Sequence, residues 1–349
     1  MPVNLIDYSY DGTILSGILL ERVKTHSVEK NVQVVYLEVT REGTVDKWEE
    51  VIKKCVDKHN EKNIKFIFSA IQEAPFKEHI LYLLQTYENA IYIDSGKDSY
   101  HPRHITASTF FSASIQESTG FNPVPFNERD QYYACLNRQP RKTRTALVKL
   151  LVSSGLDKKG IVTLNSISKD PSHDVGLKEI KIDLIGDPND PAVHFRQYNS
   201  LGKNALIHVV TESSYFTYNN QYWSNTDGFK YPFHWNRVFV TEKTIKAFCM
   251  HQLPLFFTVD GHVQYLRDCG FDMFDDFIDH SYDKVTDPLL KMSAVYGELH
   301  RLCNYSLEDI KQYCIKNQDR FVHNVNNRPG VYQRELDNLI NKILNFIEN

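Results

Sequence analysis

The chain has 349 residues, enough for about two domains at the usual ~150 residues each. Its 44 acidic residues outnumber 40 Lys and Arg, a formal charge of −4, which excludes a uniformly basic nucleic-acid coat but leaves room for a local basic patch. Hydrophobic residues at 42% and charged residues at 24% exclude a mainly disordered chain, while 20 Tyr and 20 Phe make it unusually aromatic.

In chain order, VNLIDY from Val3 reads as a strand and Gly12 to Val23 as a helix. NVQVVYLEV from Asn31 is a second strand. DKWEEVIKKCVDKH from Asp46 repeats Trp48, Val51, Ile52, Cys55 and Val56 at helical spacing. IKFIFSA from Ile64, the helix FKEHILYLLQTY from Phe76 and the strand AIYIDS from Ala90 follow. Regular alternation of this kind predicts βαβ units and a parallel, Rossmann-like sheet. The pattern weakens from Ser99 to Asp130, where the proline-bearing NPVPFNERD predicts a domain boundary.

Beyond it, YYACLN predicts a strand and PRKTRTALVKLLVSSG a helix ended by Gly155. NALIHVVTES from Asn204 is a strand, TEKTIKAFCMHQ a helix with Thr241 as N-cap, LPLFFTV a strand and HVQYLRDCG a short helix. YQRELDNLINKILNFIEN closes the chain as an amphipathic helix with Leu336, Leu339, Ile340, Ile343, Leu344 and Ile347 on one face. The expected fold class is therefore α/β. Two Rossmann-like domains, 1–125 and 126–330, have parallel sheets facing a central cleft, and 331–349 form a helix packing back.

No apolar run approaches the ~18 residues of a membrane helix, and the start MPVNLIDYSYDG lacks a basic region followed by an apolar block. The expectation is a soluble, cytoplasmic protein, monomeric or dimeric. Six cysteines without a CxxC pair read as buried thiols, not as a disulfide framework or zinc site. The acidic GFDMFDD, with Asp272, Asp275 and Asp276, reads as a packed turn, and His101 and His104 in HPRH as exposed loop histidines. No metal or other cofactor is expected.

Chemistry concentrates in VFVTEKTIKAFCMHQLPLFFTVDG, Val238 to Gly261. A strand ending in Thr-Glu-Lys at a helix start presents unpaired N–H groups and the positive dipole end, a natural phosphate site to which Lys243 adds charge. Glu242 beside it suits a ribose diol. Upstream, a strand ends in Glu212 and Ser213. CLNRQPRKTRTALVKLL places Asn137, Arg138, Arg141, Lys142 and Arg144 at a strand-to-helix junction without an acidic residue. Clustered arginines repel one another and call for an anion.

These blocks resemble the donor-binding core of the α1,3-fucosyltransferase family over roughly residues 133 to 262. There, a strand ending Phe-Glu-Asn-Ser precedes Asp-Tyr-Val-Thr-Glu-Lys, a helix and a Val-Pro-Val-Val strand. Glu212, Ser213 and Ser214 stand where Glu-Asn-Ser would, Val240 to Lys243 match Val-Thr-Glu-Lys, and Leu253 and Pro254 begin the matching strand. The resemblance implies that Glu242 contacts the ribose and Lys243 the diphosphate. It further implies an arginine for that diphosphate, for which Arg144 is the best match and Arg138 and Arg141 are rivals. Departures at Thr211 and Ser213, with the insert Tyr215 to Trp235, leave the sugar open.

The CLN-R-x-P-R pattern is also similar to glycosyltransferase-like proteins of tailed phages, some relatives of which act on hydroxymethylated pyrimidines in DNA. These resemblances imply a fold of GT-B type and an inverting, metal-independent transfer from a UDP- or GDP-sugar. The acceptor is a glycan or a hydroxymethylated DNA base, with no membrane partner. A non-catalytic nucleotide-sugar-binding protein is the reading from another class. In the DNA reading Arg103, Arg138, Arg141, Lys142 and the aromatic insert would be DNA contacts. The base that deprotonates the acceptor is sought after the strands of the first domain, at Glu73 or Asp11, with Asp94 a further candidate.

Overall fold

The computed structural model describes residues 5–8, 18–38, 45–59, 64–70, 77–94, 101–106, 123–137, 142–164, 202–211, 216–218, 221–223, 238, 240 and 242–349. The chain divides into two compact units, Met1–Ala113 with Gly330–Asn349, and Ser114–Pro329. Both are α/β with parallel sheets. Among the described residues no helix is long and apolar enough to cross a membrane.

The first unit contains β1 (Leu5–Tyr8), α1 (Ile18–Lys30), β2 (Gln33–Glu38), α2 (Val45–Lys58), β3 (Ile64–Ala70), α3 (Lys77–Thr86), β4 (Ala90–Asp94) and β5 (His104–Thr106). Its five strands are parallel and lie in simple chain order. Alternation decides which side chain meets which helix. Val34, Tyr36, Ile67, Ile91 and Ile93 pack with Val23 of α1 and with Leu339, Ile340, Ile343 and Ile347 of the last helix. Val35, Leu37, Phe66, Phe68 and Tyr92 pack with Ile52 and Cys55 of α2 and Ile80, Leu83 and Leu84 of α3.

Several expectations need correction here. α1 runs on through Lys30, because the polar KTHSVEK stretch faces outward around buried Val23 and Ser27. Val51 of α2 is 46% exposed, one position off the apolar stripe that buries Ile52 and Cys55. The HPRH segment is not a loop of exposed histidines: His104 opens β5, pairs with Tyr92 across the ladder and is buried. Arg103 beside it caps the end of α3. Its Nη1 donates to the carbonyls of Tyr87 (2.6 Å), Glu88 (2.7 Å) and Ala90 (3.0 Å), and its Nη2 to that of Leu84. A guanidinium engaged in this way is a structural clamp.

The second unit contains β6 (Gln131–Asn137), α4 (Lys142–Ser153), β7 (Gly160–Leu164), β8 (Ala205–Thr211), the antiparallel pair β9 (Phe216–Tyr218) and β10 (Gln221–Trp223), α5 (Glu242–Cys249), β11 (Leu253–Phe257), α6 (His262–Asp268), α7 (Pro288–Leu302) and α8 (Leu307–Lys316). The last helix, α9 (Gln318–Glu348), begins in this unit and continues into the residues assigned to the first. It starts well before the expected 332, running through Arg328, Pro329 and Gly330, and it keeps the expected apolar face toward the first unit's core.

The four-stranded sheet has the order β11-β8-β6-β7, all parallel. The chain leaves β6 through α4 to pair β7 on one side, then returns β8 to the other. Strand order therefore reverses between β6 and β8, the place where open α/β sheets leave a crevice beyond the carboxyl ends of their strands. β8 is buried at every position, so it is the middle of the core and its end is rigidly placed.

At the opposite edge Arg129 holds the sheet together. Fully buried, it donates from Nε to the carbonyl of Val124 (2.9 Å), from Nη1 to Ala205 (3.0 Å) and His251 (2.8 Å), and from Nη2 to Met250 (2.9 Å). Four carbonyl dipoles, including those just past the end of α5, replace water around this charge. Burial lowers the group only to about 10, so it remains a cation at neutral pH.

Candidate functional site

Three strand ends and one helix start meet where the strand order reverses. The register of β6 against β8 runs Gln131↔Ala205, Tyr133↔Ile207 and Ala134↔His208, and continuing it sets Asn137 opposite Thr211. Thr211 Oγ1 donates to Asn137 Oδ1 at 2.5 Å. The Asn137 N–H donates to Thr163 Oγ1 (2.9 Å), and the Thr163 hydroxyl returns a bond to the Asn137 carbonyl (3.3 Å). All three residues are buried.

Arg144 enters from the first turn of α4. Its helix is fixed by Leu147, Val148 and Leu151, each fully buried, and this anchors the arginine on the inner side of the turn. Its Nη2 donates to the Thr211 carbonyl at 3.1 Å. The structure thus brings together two residues that the sequence singled out, Asn137 and Arg144, and joins them through a third, Thr211, noted there only as a departure from the family pattern. The side chains of Arg138, Arg141 and Lys142 lie outside the described residues.

The helix start that carries Thr-Glu-Lys belongs to the same edge. β8 and β11 are neighbouring parallel strands, so the helix joining them must run back against them and begin at their carboxyl ends. The end of α5 agrees: Met250 and His251 share Arg129 with Ala205, the first residue of β8. Lys243 is half-buried in the first turn, while the Glu242 side chain and Thr241 lie outside the described residues, as do Glu212 and Ser213 beyond the end of β8. Asp11 and Glu73 also lie outside them, and Asp94 ends β4 with its side chain outside them.

Beneath α5 lies a buried polar group that the sequence reading missed. Thr244 Oγ1 lies 3.3 Å from His262 Nε2, and the His262 ring packs on Phe256. Lys291 of α7 is fully buried nearby, its Nζ donating to the Asp283 carbonyl at 3.4 Å. The Asp283 carboxylate accepts from the N–H groups of Val263 (3.1 Å) and Gln264 (3.0 Å), capping α6. Burial, helped by Lys291, holds His262 neutral with a pKa pushed down to about 3. Burial likewise brings Lys291 down to about 8 against the pull of Asp283 and Asp260. No local motif marks Lys291, because a single Lys in an amphipathic helix reads as a surface residue until its neighbours are known.

The acidic GFDMFDD segment is a packed turn around buried Phe271, Met273 and Phe274. Arg320 binds Asp272 (2.6 and 2.7 Å) and Asp276 (2.8 Å), and Arg267 binds Asp275. Their carboxylates are neutralised by arginine, and the pairing with Arg320 keeps Asp276 below the usual carboxylate range. Among the described residues no group of three His, Cys, Asp or Glu is set to hold a metal. The six cysteines are buried.

Chemically, the edge offers a cation on a rigid helix turn, a second cation at another helix start, and strand ends tied to one another. That combination suits an anionic ligand. No family model, curated protein or solved structure matches the chain.

Proposed function

We propose that the protein is a glycosyltransferase of the GT-B type, with its nucleotide-sugar donor at the carboxyl edge of the second sheet. The observation that carries the reading is the convergence of Asn137, Thr211 and Arg144 where strand order reverses, on the edge from which α5 also starts. The resemblance to α1,3-fucosyltransferases supports it through the Thr-Glu-Lys block. Arg144, Lys243 and the start of α5 meet the leaving diphosphate, and Glu242 meets the ribose. Stabilising that leaving charge lowers the barrier without a metal ion. Glu73 or Asp11 serves as the base for the acceptor hydroxyl in an inverting transfer. The donor is a UDP- or GDP-sugar, and the acceptor a glycan or a hydroxymethylated pyrimidine in DNA.

The test is a thermal-shift panel of UDP-, GDP-, ADP- and CMP-sugars, followed by release of nucleoside diphosphate from any donor that binds. A ligand at 100 times its Kd stabilises the folded state by about 2.7 kcal/mol, well within reach of such a panel. Stabilisation by one nucleotide class with turnover is the expected result. Binding without turnover of any donor would leave a nucleotide-sugar-binding protein, and no shift with any donor would overturn the reading.

A further inference from the structure

We propose that Asn137 and Thr211 are positioning residues: they aim the Arg144 guanidinium at a phosphate group in the crevice between β6 and β8, and do not themselves touch the ligand. The inference rests on the donor-site reading above and assigns the residues of that site different tasks.

Asn137 has each of its polar groups engaged within the protein. Its N–H and carbonyl bond to Thr163, its Oδ1 accepts from Thr211, and its Nδ2 donates to Cys135 Sγ at 3.4 Å. At 1% exposure it belongs to the floor beneath a ligand. Thr211 is the link. Its hydroxyl ties the end of β8 to the end of β6, and the carbonyl of the same residue holds Arg144 Nη2. The chain of bonds therefore runs from β7 through β6 and β8 to α4, crossing the strand-order reversal.

The physical gain is preorganisation. A free arginine side chain carries large rotamer entropy, which an incoming anion would otherwise have to overcome. The guanidinium is a rigid planar fork, so a fixed carbonyl on one Nη sets the plane and direction of the rest. The carbonyl is itself fixed only while the end of β8 stays in register with β6. The Thr211 hydroxyl enforces that register where the ladder runs out.

The experiment measures binding of inorganic pyrophosphate to the full chain by calorimetry at low ionic strength, together with the melting temperature. Thr211→Ser keeps the hydroxyl and should bind within about twofold of wild type, whereas Thr211→Val should bind about fivefold more weakly. Because Thr211→Val leaves a buried acceptor unmet, the double change Asn137→Leu with Thr211→Val guards against misfolding. Replacing both partners by apolar groups of similar shape is close to neutral for stability, yet it should show the same fivefold loss. A purely structural role would lower the melting temperature and leave the Kd of the folded protein unchanged. If wild type binds and the folded double variant binds equally well, the positioning role is overturned while the anion site stands. If wild type fails to bind, or Arg144→Ala binds as well as wild type, the anion site is overturned and the positioning role with it.

Discussion

Arg144 reaches from the first turn of α4 to place its Nη2 3.1 Å from the carbonyl of Thr211, the last residue of β8. The two residues are 67 apart in sequence. They meet because β8 returns to the far side of β6, and the start of α4 follows the carboxyl end of β6. A cation fixed in this way, on the same sheet edge as Lys243, is the basis of the first expectation.

Arg144→Ala and Lys243→Ala should each weaken binding of UDP or GDP at least about tenfold, equivalent to ~1.4 kcal/mol. Titration calorimetry on the folded variants measures this directly. Unchanged affinity in both variants would remove the donor site from this edge.

Arg129→Leu should cost on the order of 3 kcal/mol of stability, because the carbonyls of Val124, Ala205, Met250 and His251 lose a charged donor in a buried setting. Arg129→Lys should recover only part of this, since an ammonium cannot span four acceptors in the geometry of a fork. Chemical denaturation monitored by the aromatic signal reports both. A loss below about 1 kcal/mol for the leucine variant would show that the clamp contributes little.

The pH dependence of stability should carry the mark of the buried groups. Lys291 titrates near 8 in the folded chain and near 10.5 when unfolded, so between these values the unfolded chain holds more protons and stability rises with pH. Lys291→Met should therefore be more stable than wild type at pH 7, by on the order of 3 kcal/mol, with the gap closing toward pH 10.5. On the acid side His262 and His208 titrate near 3 and 4 in place of 6.5. Their unfolded forms take up protons first, and stability falls as pH drops below about 6.5. Thermal melts from pH 4 to 10 test both limbs. A Lys291→Met melting temperature equal to wild type at every pH would refute the assignment.

Gly160→Ala should destabilise the second unit by about 1–3 kcal/mol. Gly160 opens β7 opposite Tyr133, and a Cβ there would lie 2.5 Å from the Tyr133 carbonyl and 2.6 Å from its ring. The ring is buried in the core and has no room to yield. Gly297→Ala on α7, where a Cβ meets nothing, is the control and should raise the melting temperature slightly, since alanine is the better helix former.

Apolar runs set between amphipathic stretches made β1 to β4, β6, β8 and β11 legible but not β7, β9 or β10, and β3 falls at the expected IKFIFSA because its run is continuous and bounded by polar segments. β5 escaped notice: three residues are too short for a period, and it exists because β4 offers it an open edge. α9 was legible only beyond 332, since Asn326, Asn327 and Pro329 disguise its first half. That half is held instead by tertiary contacts, such as Arg320 on Asp272 and Asn324 on the backbone of Asp272.

For the site, the sequence by itself determined which residue types gather at the strand ends and helix starts. It set cations at two helix starts and small polar residues at strand ends, because such local features follow from residue type and spacing. It could not assign roles within that set. Nothing local shows that Thr211 lies opposite Asn137, or that the Thr211 carbonyl holds Arg144. Nothing in the local sequence marks Lys291, or His262 at the start of its short helix, as buried; that follows only from the packing of α7 over β11. Strand order and helix packing are long-range choices, fixed by which faces bury together. Only the tertiary structure decides which polar groups remain to meet a ligand and which hold one another in place.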